Sequence, residues 1–328
     1  VIPQISQQLT EKLLRSMPNN KGTIQLNGQN LPMSYMELSK PTGKYVYRVF
    51  MKLFNLFSRN GYIRVVGNTC APGLIFPNIP QESNPKEFIQ KENSCGVLVA
   101  NVLGNEKFKH ATTIPAEPFM LVHIEPNLET LEDYFNQFSS KYRVRAHKVL
   151  KNSQSIEFKT LNNLPSNDWI SQCGKLLNHS LQNKTIAIGQ NLSELIHCYQ
   201  KTLNNQFKVH GYFLEGQLVG FISFIEEDNH IHATHLGIDE NLSLTYSLYQ
   251  RMMYDLIHYS IVNKKKTMNI GRTATEIKST LGAVPIENSF VLFTKSRILR
   301  FLLNLYTNHI HKTQVYILRN PFKTAEVH

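Results

Sequence analysis

Residues 208–283 limit the fold more than any other part of the chain, because they read as strand, strand, strand, helix, strand, helix. Residues 208–214 and 217–226 are apolar, β-branched runs joined at Glu215-Gly216, a tight-turn pair. A second turn at residues 227–229 returns the chain through residues 230–237. In residues 244–262, Leu248, Met252, Leu256 and Tyr259 recur at helical spacing and mark one face. Three lysines, 264–266, follow that helix at the negative end of its dipole. Residues 267–270 form a short strand, and residues 271–283 supply a tight turn, one short helix and a glycine stop. An antiparallel meander that passes into strand-helix-strand-helix excludes all-α and all-β architectures.

The wording of this segment resembles a known superfamily. "HLGID" leaving a strand, "LYQRMMYDLIHYSI" on the helix and "NIGRTATEIKSTLGA" are similar to the Fem-type branch of the GNAT acyltransferases. "DYFNQFSSKYRVRAHKVLKNS" resembles the same branch, and the likeness spans roughly residues 120–320. The resemblance implies an α/β fold of two GNAT-like domains, each a mixed, mostly antiparallel sheet flanked by helices. It also implies transfer of an acyl or aminoacyl group to an amine.

The length of 328 residues leaves room for two domains, each with its own core. A hydrophobic share of 41% and a charged share of 18% describe a globular chain rather than a disordered one. No apolar run approaches the ~20 residues that span a bilayer. Residues 1–16 carry polar side chains where a leader's apolar core would sit, so the expected location is cytoplasmic, with peripheral contact at the inner membrane face as a variant. The four cysteines, 70, 95, 173 and 198, are isolated, which suits free thiols. The net charge of +11 is concentrated: residues 141–151 hold five Lys or Arg and residues 289–325 six, with no acid in either run. Such runs favour anionic partners, or else are solvated faces.

Along the rest of the chain, residues 5–14 read as a helix and residues 23–36 as a hairpin about Asn27-Gly28. Residues 45–57 form a helix, 62–66 a strand, 67–78 a loop and 85–91 a helix. Residues 96–103 and 119–124 are strands with a polar connection between them. Residues 126–153 are helical, and Thr130 with Asp133 resembles a capping box. A linker at residues 160–167 divides a degenerate domain, 1–160, from an acyltransferase domain, 161–328. Helices at 169–181 and 192–203, a strand at 289–294, a helix at 295–310 and a strand at 314–319 complete the second domain.

Five residues stand out as site candidates. Asp239 and Tyr249 are the catalytic ones: a carboxylate to receive the amine proton and a phenol to donate to a leaving group. His235, Arg272 and Lys278 are the substrate-binding ones, Arg272 at the mouth of a strand where α/β folds put ligands. Four have plain alternatives: a helix cap or an ion pair with Arg272 for Asp239, core packing for Tyr249, that same ion pair for Arg272 and a solvated lysine for Lys278. On a regular strand His230 and His232 share a face and His235 takes the other, so a metal site is not expected. Residues 237–243 hold one glycine and two carboxylates where a CoA-binding GNAT has its Gly-rich phosphate loop. The donor implied by the resemblance is therefore acyl-CoA or aminoacyl-tRNA, with the loop favouring the second. The acceptor would be a small-molecule or peptide amine. Two rivals stay open: a non-catalytic protein with a basic face for nucleic acid, and a membrane-peripheral enzyme acting on a lipid-linked amine, docked through the helix at 295–310.

Overall fold

The computed structural model describes residues 9, 20–26, 29–37, 62–66, 97–104, 106–109, 111–163, 168–181, 192–294, 296–309 and 316–323. The helices expected at 45–57 and 85–91 and the loop at 67–78 lie outside them, as does all of the helix at 5–14 except the buried, helical Leu9.

Eleven strands form one sheet. In chain order they are β1 (Asn20–Leu26), β2 (Gln29–Glu37), β3 (Tyr62–Val66), β4 (Val97–Leu103), β5 (Ala111–His123), β6 (Glu157–Thr160), β7 (Phe207–Leu214), β8 (Gln217–Glu226), β9 (His230–Ile238), β10 (Thr267–Asn269) and β11 (Val284–Thr294). Across the sheet they run β1-β2-β3-β4-β11-β5-β10-β9-β8-β7-β6. Among the described residues only β3–β4 and β9–β10 pair in parallel, so the sheet is mixed and mostly antiparallel, as expected.

The order reads the same from both ends toward the centre. An antiparallel pair, then a parallel pair, then an antiparallel neighbour occurs as β2-β3-β4-β11 on one side and as β8-β9-β10-β5 on the other. The closing strands are exchanged: β5 follows β4 in sequence but lies against β10, and β11 follows β10 but lies against β4.

The helices are α1 (Leu131–Asn136), α2 (Ser140–Asn152), α3 (Asp168–Leu181), α4 (Leu192–Leu203), α5 (Glu240–Ser243), α6 (Leu248–Val262), α7 (Thr275–Ser279) and α8 (Arg297–His309). Strand period two sorts the core into two layers. On β8, Ile222 and Phe224 pack with α1, α2 and α6, whereas Phe221 and Ile225 pack with α3 and α4.

Several boundaries differ from expectation. The helical stretch 126–153 is two helices, and the Thr130–Asp133 capping box opens the first of them. The helix expected over 244–262 starts at Leu248, because Ser247 turns left-handed at φ 50°. Of the strand expected at 314–319, the described residues 316–319 are irregular and pair with no strand among the described residues. Lys265 is not a solvated dipole cation: it is buried, pairs with Glu226 at 2.9 Å and donates to the Glu227 and Asp228 carbonyls.

His210 is buried in β7 against the rings of Phe158, Phe224 and Tyr259, and its Nδ1 has no hydrogen-bond partner. Burial, aided by Lys208 and opposed by Glu226, lowers its pKa from 6.5 to about 4. The unfolded chain therefore binds the extra proton first as pH falls. Stability is full above 6.5 and declines toward pH 4, by about 3 kcal/mol from this group. Urea unfolding across that window should show the decline, and His210→Phe, which suits the aromatic cage, should flatten it. An unchanged slope in the variant would show that His210 does not carry it.

Candidate functional site

The site begins where two parallel strands part. β9 and β10 pair from His230–Thr267 to His232–Asn269 and no further. Beyond that point β9 stays on β8 as far as the Ile238–Gly220 pair. The chain after β10 instead stays on β5, through the Ile270 N–H to Met120 O and the Met120 N–H to Gly271 O. Among the described residues, 233–238 have no strand beside them on the β10 side, and the two strands part there.

A β-bulge shapes its β9 wall. Ser223 pairs with His235 and Phe224 with Ala233, so Thr234 is the extra residue. The Ser223 hydroxyl fixes the bulge, sharing a 2.7 Å hydrogen bond with Thr234 Oγ1 and accepting from the His235 N–H at 3.2 Å. The extra residue shifts the pleat by one. His235 therefore joins His230 and His232 on one face, with its ring 6.1 Å from that of Tyr199, which corrects the expectation of opposite faces. Among the described residues no group of three or more His, Cys, Asp or Glu side chains is arranged to hold a metal ion. Gly237 serves packing: a Cβ there would stand 2.9 Å from the Leu177 backbone nitrogen of α3.

The other wall is the turn after β10. Gly271, Thr273 and Ala274 have φ of 73°, 67° and 50°. That is cheap for glycine but costs about 1–2 kcal/mol for each of the others. Such strain persists only where neighbours over-determine the backbone. Lys278, 3% exposed, does so from α7: its Nζ donates to Gly271 O at 3.2 Å and to Arg272 O at 2.7 Å. The Arg272 guanidinium lies over Phe119 at 5.5 Å and Phe290 at 5.0 Å, rings from β5 and β11. Burial lowers its pKa, and Glu117 opposes the shift. Glu117 also accepts from Tyr316, whose phenol is pushed up to about 12, mainly by burial.

Asp239 stands at the end of β9 as the N-cap of α5, with Oδ1 accepting from the Asn241 N–H at 3.0 Å. No ion pair joins it to Arg272 among the described residues. Tyr249 lies in the first turn of α6 among core residues, and burial raises its phenol well above the ordinary range. Of the five candidates, Arg272 and Lys278 are in direct contact.

Charge alone flagged a second feature but did not assemble it. A groove of about 680 Å³ opens between α2, α6 and α7, lined by Lys141, Tyr142, Arg145, Lys148, Ser247 and Arg319, among others. The three α2 cations fall at helical spacing on one face. Arg319 arrives on the irregular segment 316–320, which α7 anchors: the Arg319 N–H donates to Ser279 Oγ and the Ile317 N–H to Glu276 Oε1. None of these four cations forms an ion pair among the described residues. Arg251 ties α2 to α6, pairing with both Asp255 oxygens at 2.9 and 2.8 Å and donating to Ser153 Oγ at 3.0 Å. In sequence α7, which lines the groove, comes directly after the strained turn.

No protein-family model matches the sequence, and no curated protein matches it. Solved structures do. L-PGS from Bacillus licheniformis aligns over 95% of this chain and 99% of its own, at 9% identity and a TM-score of 0.50. FemX aligns over 92% and 99%, at 9% identity and a TM-score of 0.51. At such identity the likeness speaks for the backbone alone. Together with the parted parallel pair, it gives this chain a fold like that of L-PGS and FemX.

Proposed function

We propose that the protein transfers an acyl or aminoacyl group to an amine by direct attack, at the opening between β9 and β10. The amine nitrogen bonds to the donor's carbonyl carbon, the ester or thioester bond breaks, and the leaving oxygen or sulfur departs with the bonding pair. Arg272 holds an anionic group of one substrate at the mouth of β10, and Asp239 across the opening receives the amine proton. Lys278 is a positioning residue that acts through the turn, and His235 stands on β9 beside Tyr199. The basic groove takes the anionic part of a substrate. The division at residues 160/161 is proposed with it. The supporting observation is the separation of β9 from β10, with a half-buried, ring-flanked arginine at one strand end and a carboxylate at the other.

Purified protein offered acetyl-CoA and aminoacyl-tRNA in turn, with a panel of primary amines, should transfer label from one donor. Arg272→Met should lower kcat/KM on the order of 100-fold, the worth of one charge-assisted contact in a desolvated site. Trapping a labelled acyl-enzyme would overturn direct attack, and full activity in Arg272→Met would overturn the site. The four groove cations also suit a binding protein without turnover; salt-dependent RNA binding with no transfer from either donor would favour that reading.

A further inference from the structure

The groove has a rim, and its chemistry is amphipathic. Leu244, in the segment between α5 and α6, is 90% exposed. Val144 is 68% exposed and lies three and four residues from Lys141 and Lys148 on α2, beside both. Ile277 on α7 is 41% exposed, and Ile317 and Leu318 at 56% and 47% run along α7 just before Arg319. Single exposed aliphatic residues are ordinary on a protein surface. Here five of them interleave, around one groove, with four cations that form no ion pairs among the described residues. Among the described residues the carboxylate lining this groove is Glu276, partly engaged by the Ile317 N–H.

We propose that this rim docks the protein on an anionic membrane surface. Cations are drawn to the headgroup charge, and projecting Leu, Ile and Val side chains gain by entering the boundary of the acyl chains. Charge complementarity with apolar flanks is what separates this occupant from nucleic acid. A single strand is held by cations and by ring faces open for stacking. Of the two tyrosines that line the groove, Tyr142 already has Lys141 and Arg145 near its ring at 5.9 and 5.5 Å and Tyr254 is buried, so neither offers an open face, whereas Leu244 projects at 90% exposure. The surface lies on α2, α7 and the segments beside them, not on the helix at 297–309 that the sequence suggested for such a role. If the proposed function holds, and only then, the groove would receive its anionic substrate from the bilayer.

Sedimentation of the full chain with vesicles tests the surface without donor or acceptor. The protein should co-sediment with equimolar phosphatidylcholine–phosphatidylglycerol vesicles and not with phosphatidylcholine alone. Replacing Lys141, Arg145 and Lys148 together by Gln should weaken partitioning on the order of 100-fold. Val144→Ser with Leu244→Ser, both exposed and harmless to folding, should weaken it about tenfold. No sedimentation with the mixed vesicles at low salt would overturn the proposal. So would an apolar pair that changes nothing while the charge triple abolishes binding to vesicles and to an RNA oligonucleotide alike, for then the groove serves a soluble polyanion. Failure of transfer in the enzymatic assay leaves vesicle binding intact, and failure here leaves transfer to a water-soluble amine intact.

Discussion

Lys278→Met should cost about 2–4 kcal/mol of stability, because two carbonyls lose a charged donor while the methionine still fills the space of the lysine stem. The loss falls on the turn that can least bear it. Thr273 and Ala274 hold left-handed backbone at φ 67° and 50°, and the Lys278 ammonium closes that turn through the carbonyls of Gly271 and Arg272. Freed, the turn relaxes and Arg272 leaves the rings of Phe119 and Phe290. A lower urea midpoint with unchanged slope is the expected reading. Thr273→Gly in the same background should return about 1 kcal/mol, since glycine takes that φ without strain. A Lys278→Met protein as stable as the parent would free the ammonium from its structural role and return it to the candidates for direct chemistry.

Gly282→Ala should cost about 3 kcal/mol or more. A Cβ there would lie 2.5 Å from Tyr134 Oη and 2.6 Å from Phe322 Cζ, at a φ of 94°. Neither ring can yield cheaply. The Tyr134 hydroxyl donates to Leu281 O at 2.8 Å, and both rings stack edge-on with Phe138. Overpacking of this kind costs about 1–3 kcal/mol, and the left-handed backbone adds about 1–2 for alanine. Gly104→Ala is the control: its φ is 77° with nothing within 4 Å of the new Cβ, so only the backbone cost of about 1 kcal/mol applies. Equal losses in the two variants would mean that the Phe322 segment is not packed there. Through that segment the substitution should also disturb the groove, since Arg319 lies three residues before Phe322.

What the letters disclosed was local. Glu215-Gly216 turns at φ 49° and 78°, the second of which glycine takes without strain, and the flanking runs pair as β7 and β8. The capping box at Thr130 and the glycine stop after α7 were legible for the same reason: each is written within a few residues. What stayed hidden was set by distant partners. The stretch before Phe119 reads as a polar connection, yet β5 begins eight residues earlier and runs through Pro115 and Pro118, which disfavour a central strand. A bulge opposite residues 286–288 and the Asn288 amide donating to Glu117 O let that strand continue. The bulge at Thr234 depends on Ser223 across the ladder, so alternation put His235 on the wrong face. Arg272 could be picked out, but its two rings come from β5 and β11. The basic run on α2 was visible as charge, whereas its meeting with Arg319 required the tail to fold back along α7.

The exchange of closing strands bears on how the molecule is made. A chain emerging residue by residue completes β5 long before β10 exists to receive it, and β4, complete at Leu103, waits for β11 until Val284–Thr294 has been made. Neither half of the sheet can finish without the other. Whatever boundary separates them in outline, they are obligate companions in assembly, and the arginine turn following β10 takes shape only when both are present.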